Sequence, residues 1–338
     1  MTDMTNESNS ASTSIAPFRF NGDGSEYFKI WIVNVLLTIA TLGIYSAWAT
    51  VRNNKYFHSN LYLDDNNFRY LAEPLAILKG RIIALIALGL YFAAATYSPD
   101  LVVVFVLALF ILMPYFYNQS LAFKMRMSAY KNIQFRFKGS YGGAAMVLFV
   151  WPILGMLTFG ILMPMAILKM NQYVVNNSAY GTSPFKFNAT YKDYGMIFLM
   201  MLGFGVIAAI IGGIVSLILP DAFLLAVGPL VAMIFYFAMI LFFLVSTTNL
   251  FYQKLALVEH EFDCELTIAG YFKVMLINML LIMLTVGLYA PAAKVRMTKY
   301  LSENIVMKVN GNLDDFSAAE EENVSALGEE MGQVFDFA

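Results

Sequence analysis

The chain has 338 residues, 59% of them hydrophobic and only 13% charged, with a mean hydropathy of +0.66. A soluble domain carries about a quarter charged residues, so most of this surface is solvated by lipid. The net charge of -2 combines a basic body with an acidic end: residues 314–338 hold eight acids and no base, leaving 15 acids against 21 bases elsewhere.

Residues 1–17 are rich in Ser, Thr and Asn, without a basic n-region or cleavage site. They read as a disordered tail and not as a signal peptide. From residue 18 the chain repeats itself. Residues 27–56 align without a gap on 271–300, with 14 of 30 positions identical, including Asn34 with Asn278, Thr41 with Thr285 and Gly43 with Gly287. A weaker copy lies 117 residues after the first: Phe18-Arg19-Phe20 recurs at 135–137, Thr41-x-Gly43 as Thr158-x-Gly160, and Phe68-Arg69-Tyr70 as Phe185-Lys186-Phe187.

Each unit follows one plan. An aromatic–basic alternation has the two-residue period of a strand. An apolar helix then meets a break at Thr-x-Gly, and a basic amphipathic helix follows. The domain layout is repeat 1 at 18–70, plain helices at 82–97 and 101–117, repeat 2 at 135–188, plain helices at 194–219 and 222–246, and repeat 3 at 262–310. Residues 311–338 form a second disordered tail, acidic in character. The expected fold class is an all-α multi-pass membrane bundle: three related repeat units and two pairs of plain transmembrane helices, with small cytoplasmic β-hairpins.

Two topologies are open. If every repeat crosses the membrane, seven spans result and the first two repeats are inverted. If each repeat dips in at Thr-x-Gly and returns, four spans remain and all 21 basic residues share one side. The preference of Lys and Arg for the cytoplasmic side favours the second.

The segments Phe-Arg-Phe-Asn-Gly-Asp-Gly-Ser-Glu-Tyr-Phe-Lys-Ile-Trp (18–31), Leu-Thr-Ile-Ala-Thr-Leu-Gly-Ile-Tyr-Ser-Ala-Trp-Ala (37–49) and Pro74 with Leu78-Lys79-Gly80-Arg81 resemble the YjgN family of bacterial inner-membrane proteins. The resemblance covers about residues 18–310. The middle copy departs from it, with Gly142-Gly143 in place of Ser25-Glu26 and Pro164 in place of Ala47. It implies a bacterial cytoplasmic membrane and supplies no activity, so no catalytic residue carries over.

The candidate sites are polar residues in apolar surroundings. Asn34 and Asn278 are a matched pair that lines a solute site or glues helices together. Thr41, Thr158 and Thr285, with breaks at Gly43, Gly160 and Gly287, offer broken-helix ends or simple bends. Arg52, Lys55, Lys169, Arg296 and Lys299 suit anionic lipid head groups or an ordinary basic flank. Glu259, His260, Glu261, Asp263 and Glu265 are metal-ligand types, but without zinc-site spacing; a solvated acidic connection is the simpler reading. His58 reads as structural. The single Cys264 excludes an internal disulfide and a thiolate-rich metal centre.

No phosphate loop or nucleophile–base pair is present, so neither an enzyme nor a cofactor is expected. The four plain spans carry no ionisable residue, which weighs against an ion-coupled carrier. Two functions stay open: permeation of a small solute, or a non-transporting scaffold that binds anionic lipids, with the acidic tail docking a protein partner. Nucleic-acid binding is not expected.

Overall fold

The computed structural model describes residues 13–310. The expected tails at 1–12 and 311–338 lie outside the described residues. Residues 13–17, expected in the first tail, instead open a strand.

In chain order the elements are β1 (Thr13–Phe20), α1 (Gly24–Ala40), α2 (Ser46–Ser59), β2 (Leu61–Leu63), β3 (Asn66–Tyr70), α3 (Pro74–Tyr97) and α4 (Pro99–Arg126). Next come β4 (Ser128–Tyr130), β5 (Ile133–Phe137), α5 (Tyr141–Ala145), a π-helical turn (Met146–Val150), α6 (Trp151–Leu157) and α7 (Met163–Asn176). Then follow β6 (Ser178–Tyr180), β7 (Ser183–Phe187), α8 (Tyr191–Ile218), α9 (Asp221–Gln253), β8 (Leu255–Leu257), β9 (His260–Cys264), α10 (Ile268–Leu284), α11 (Ala290–Glu303) and β10 (Ile305–Asn310).

The all-α expectation is overturned. The ten strands form one closed antiparallel barrel, in the order β1-β10-β9-β8-β7-β6-β5-β4-β3-β2 and back to β1. The aromatic–basic alternations lie on β1, β3, β5 and β7. Each of β3, β5, β7 and β9 is joined to a three-residue strand by a two-residue turn, and β1 pairs with both β2 and β10, with Thr13–Pro17 against Val306–Asn310. In the turns Asp64-Asp65 and Lys131-Asn132 both residues have positive φ, the backbone twist that suits a two-residue hairpin. Closure leaves no open sheet edge.

The barrel rests on a ring of helices. Substantial helix packing runs between ring neighbours: α1 on α2, α2 on α3, α3 on α4, α4 on α5, α6 on α7, α7 on α8, α8 on α9, α9 on α10, α10 on α11, and α11 back on α1. One hydrogen bond ties ring to barrel at five places. The amide of the residue after each of β1, β3, β5, β7 and β9 (Asn21, Leu71, Lys138, Asn188, Glu265) donates to the carbonyl of Asn60, Met127, Asn177, Lys254 or Asn304, the residues that cap α2, α4, α7, α9 and α11.

Two of the five helix pairs are long. α3, α4, α8 and α9 are long and apolar enough to cross a membrane, and their turns end in Asp100 and Asp221. The other three pairs are short: α2, α7 and α11 have 14 residues each, against 28 in α4 and 33 in α9. At 1.5 Å per residue that is about 21 Å against about 42 and 50 Å.

The tips of the short pairs explain Thr-x-Gly. Thr41, Thr158 and Thr285 each donate from Oγ1 to the carbonyl four residues back (Leu37, Leu154, Leu281) at 2.7 Å. Each also accepts from the amide four residues on (Tyr45, Leu162, Tyr289) at 2.9–3.1 Å. The hydroxyl thus serves an amide that has left the helix, and gives a second bond to a carbonyl that already accepts the threonine's own amide. Gly43, Gly160 and Gly287 have φ near +90° and donate to the carbonyls five residues back, closing the helix as in a Schellman turn.

The middle residues, Leu42, Phe159 and Val286, also have positive φ and are 95%, 99% and 92% exposed. Left-handed backbone costs a non-glycine residue about 1–2 kcal/mol. Placing a large apolar side chain in lipid instead of water contributes about 1.5–3 kcal/mol, enough to offset that.

Thr285→Val should therefore lower the thermal stability of the detergent-solubilised protein by the equivalent of about 1–3 kcal/mol, the cost of unsatisfied polar groups, while Thr285→Ser should retain it. Equal melting of the two variants would show that the hydroxyl is not needed at the tip.

Candidate functional site

The barrel interior holds the largest cluster of buried apolar side chains among the described residues. Strand alternation puts Phe18, Phe68, Phe135, Phe185 and Phe262, one each from β1, β3, β5, β7 and β9, at one level. Neighbouring centroids are 6.2–6.4 Å apart and the rings are nearly stacked, from Phe262 through Phe18, Phe68 and Phe135 to Phe185. Their strand partners are Leu63, Tyr130, Tyr180, Leu257 and Met307, in one register at all five places. These ten side chains, with Leu61 and Leu255, line a cavity of about 240 Å³. Its two tyrosines offer no free hydroxyl: Tyr130 donates to the Leu63 carbonyl at 2.7 Å and Tyr180 to the Tyr130 carbonyl at 2.9 Å.

A second cavity of about 320 Å³ lies at the helix end of the barrel, sharing Leu61, Phe68, Phe135, Phe185 and Leu255 with the first. Met125, Val174, Val175 and Phe251 from α4, α7 and α9 complete its wall. Its few polar side chains are committed: His58 Nδ1 meets the Asn54 carbonyl at 2.8 Å, and Ser178 donates to the Val174 carbonyl at 2.7 Å. Together the two cavities reach the size of small-molecule sites, about 300–1,000 Å³, and are almost wholly apolar.

The polar candidates lie elsewhere. Asn34 and Asn278 are buried, but each bonds within its own helix pair. Asn34 Nδ2 donates to Asn53 Oδ1 at 3.0 Å and its Oδ1 accepts from Arg52 at 3.4 Å; Asn278 Nδ2 donates to the Ala293 carbonyl at 3.1 Å. In the second pair Asn278 Oδ1 and Arg296 Nη1, the counterparts of the Asn34–Arg52 contact, are buried without a partner. The three Thr-x-Gly breaks sit on three separate tips.

The basic candidates are divided. Arg52 turns to Tyr45 Oη at 3.1 Å, Lys169 to Gln172 at 3.2 Å, and Lys299 to Glu303 at 3.9 Å; Arg296 lies 5.5 Å from the Tyr289 ring and Lys55 is exposed. Of the acidic group, His260 points into the barrel rim, where its Nδ1 accepts from the Asn310 amide at 3.1 Å. Asp263, on the opposite strand face, accepts from Lys308 at 2.7 Å. That contact holds the carboxyl below its ordinary range and lifts the Lys308 ammonium above its own. No group of three metal-ligating side chains occurs among the described residues, because alternation splits this one.

Sequence reasoning found four of the five phenylalanine segments and missed Phe262, whose neighbour is acidic Asp263 in place of Arg or Lys. It also missed the shorter strands. The signal was present: Ser-Ala-Tyr stands at both 128–130 and 178–180, and Leu-Tyr-Leu at 61–63 resembles Leu-Ala-Leu at 255–257.

A closed barrel above a helix ring with four helices of membrane-crossing length defines an integral membrane protein of mixed α and β structure. The chain belongs to the family described as bacterial protein of unknown function (DUF898), which matches residues 15–334. It is similar to the inner membrane protein YjgN of Salmonella typhimurium, 25% identical over 363 residues and 90% of each chain. It is also similar to YjgN of Escherichia coli O157:H7 and of strain K12, each 34% identical over 143 residues, or 40% of this chain and 35% of the relative. The family resemblance thus holds, and the chain resides in the bacterial inner membrane. No solved structure matches.

Cys264 tests barrel closure directly. It is 1% exposed, and burial pushes its thiol up to about 11. The reactive thiolate is therefore scarce in the fold up to that pH. A maleimide at pH 8 should leave the detergent-solubilised protein unlabelled and should label it fully in SDS. Native labelling at the rate of a free thiol would mean that the seam next to β9 is open.

Proposed function

We propose that this protein is a four-span inner-membrane protein that takes the hydrocarbon part of an amphiphile from the bilayer into its barrel. The observation that carries the reading is the apolar chamber within the barrel, which shares five lining residues with the cavity among the helix ends. A fully polar solute would lose its hydration there and find no hydrogen-bonding partner, at a cost of several kcal/mol. A fully apolar solute dissolves in the bilayer unaided. An amphiphile fits both facts, with its apolar part in the chamber and its polar part outside. Solute permeation is thereby narrowed to membrane-resident molecules.

The four-span arrangement is supported by the polar tips of the long helix pairs and the apolar tips of the short ones. It places the barrel and the basic residues in the cytoplasm. In a Cys264→Ser background, Ser98→Cys should react with an impermeant maleimide on intact spheroplasts, and Asp65→Cys only after lysis. The reverse pattern would overturn the orientation. The scaffold alternative rests on the basic amphipathic helices and on the acidic tail, which lies outside the described residues.

Binding is tested with radiolabelled oleate on protein in nanodiscs. Saturable binding should fall at least tenfold in Leu257→Trp, which fills the chamber, and should persist in Leu90→Trp on an exposed helix face. Unchanged binding in Leu257→Trp, with Cys264 still protected, would overturn the reading.

A further inference from the structure

Resting on the reading that the barrel accepts the apolar part of an amphiphile, we infer that the ring of Phe18, Phe68, Phe135, Phe185 and Phe262 is a selectivity aperture that admits one unbranched acyl chain and excludes fused-ring hydrocarbons. Aperture size carries the argument. Four successive spacings of 6.2–6.4 Å link the five centroids from Phe262 round to Phe185, and a regular pentagon of that side would set them roughly 5 Å from its axis. Carbon atoms in contact sit about 3.5–4.0 Å apart. A chain on the axis therefore meets the aromatic wall at contact distance, with room for a single file of methylenes. A fused ring system several carbons wide overlaps the wall.

The rings cannot easily give way. Phe68 is backed by Tyr130 at 4.9 Å and Phe135 by Tyr180 at 5.1 Å, and both tyrosines are fixed by their bonds to neighbouring carbonyls. A closed barrel has no free edge to swing outward.

The fold also provides a route from the bilayer. In ring order the helix pairs run short, long, short, long, short, so α10–α11 and α1–α2, both short, stand side by side. Beyond their tips at Leu42 and Val286 only the long pairs continue, and four helices do not close a ring that needs ten. The cavity beneath the barrel is therefore walled in one half of the bilayer and open to lipid in the other. A chain enters from the midplane, below the short pairs, and rises along the axis to the phenylalanine level.

The test uses two photoactivatable probes: palmitate with a diazirine at the chain end, and a sterol carrying a diazirine in its ring system. Purified protein in nanodiscs is irradiated and the cross-links are mapped by mass spectrometry. Palmitate should mark residues at or above the aperture, such as Phe135, Tyr180 and Leu257. The sterol should mark them at least tenfold less. Phe135→Ala should admit the sterol while still accepting palmitate, a gain that misfolding does not produce, with Cys264 protection as the check on folding. Equal marking by both probes in the unaltered protein would overturn the aperture. Palmitate cross-links confined to Met125, Val174 and Phe251, below the ring, would also overturn it while leaving amphiphile uptake intact. Absence of saturable oleate binding would remove both proposals together.

Discussion

The pairing of the two ends of the described chain is the constraint on which the rest depends. Thr13–Pro17 lie antiparallel to Val306–Asn310, and that single ladder turns a curved sheet of hairpins into a barrel. Without it, β1 and β10 would each present a row of unpaired amides and carbonyls. With it, five helix pairs must close into a ring as well, because each pair enters and leaves the barrel at a fixed angular position. The interior follows as a consequence. One phenylalanine and one large apolar partner from each fifth of the barrel face the axis, and no helix fills the space between them. On its other side β10 pairs with β9, where Lys308 meets Asp263 in a partly exposed contact of modest strength, about 0–1 kcal/mol. The seam is held by backbone bonds and by buried Met307 and Val309 more than by charge.

Hydrogen-bond accounting sets the details below the barrel. Lipid satisfies no backbone group, so each reversal of direction within it must be closed internally. The long pairs avoid the problem by turning at Ser98 and Pro220, beside Asp100 and Asp221. The short pairs turn among exposed apolar side chains, where the threonine hydroxyl meets a carbonyl and an amide at once. At the upper ends the tyrosines do comparable work. Tyr56 and Tyr173 donate to the carbonyls of Asp23 and Ser140 at 2.8 and 2.9 Å, and Tyr300 reaches that of Thr267 at 3.4 Å; these three acceptors are the helix-capping residues of α1, α5 and α10. Gly139 is required in the middle unit, since a Cβ there would come within 2.3 Å of Tyr173 Oη.

Much of this was legible in the residues. The Thr-x-Gly breaks, the return of the short helices and the four long apolar segments follow from local rules: glycine tolerance, hydroxyl back-bonding and apolar length. The strand character of Phe18-Arg19-Phe20 and its relatives also follows from their two-residue period. Asn34 and Asn278 stood out as a matched polar pair in apolar segments, and the structure assigns the two asparagines to separate helix pairs. The three-residue strands carry no measurable period; only their recurrence, as in Ser-Ala-Tyr at 128–130 and 178–180, marks them in the sequence, and their pairing is defined by their partners.

The sequence by itself therefore determined the membrane setting, the helical breaks and the alternating segments, because composition and short-range periodicity encode them; the family was legible only through the resemblance of particular segments such as residues 18–31. Only the tertiary structure decided that the alternating segments join into one barrel, that Phe262 completes the aromatic ring, and that the candidate site is an apolar axis in place of a polar pair. The physical reason is separation along the chain. Barrel closure joins residues almost three hundred positions apart, and no local pattern of side chains reports a partner at that distance.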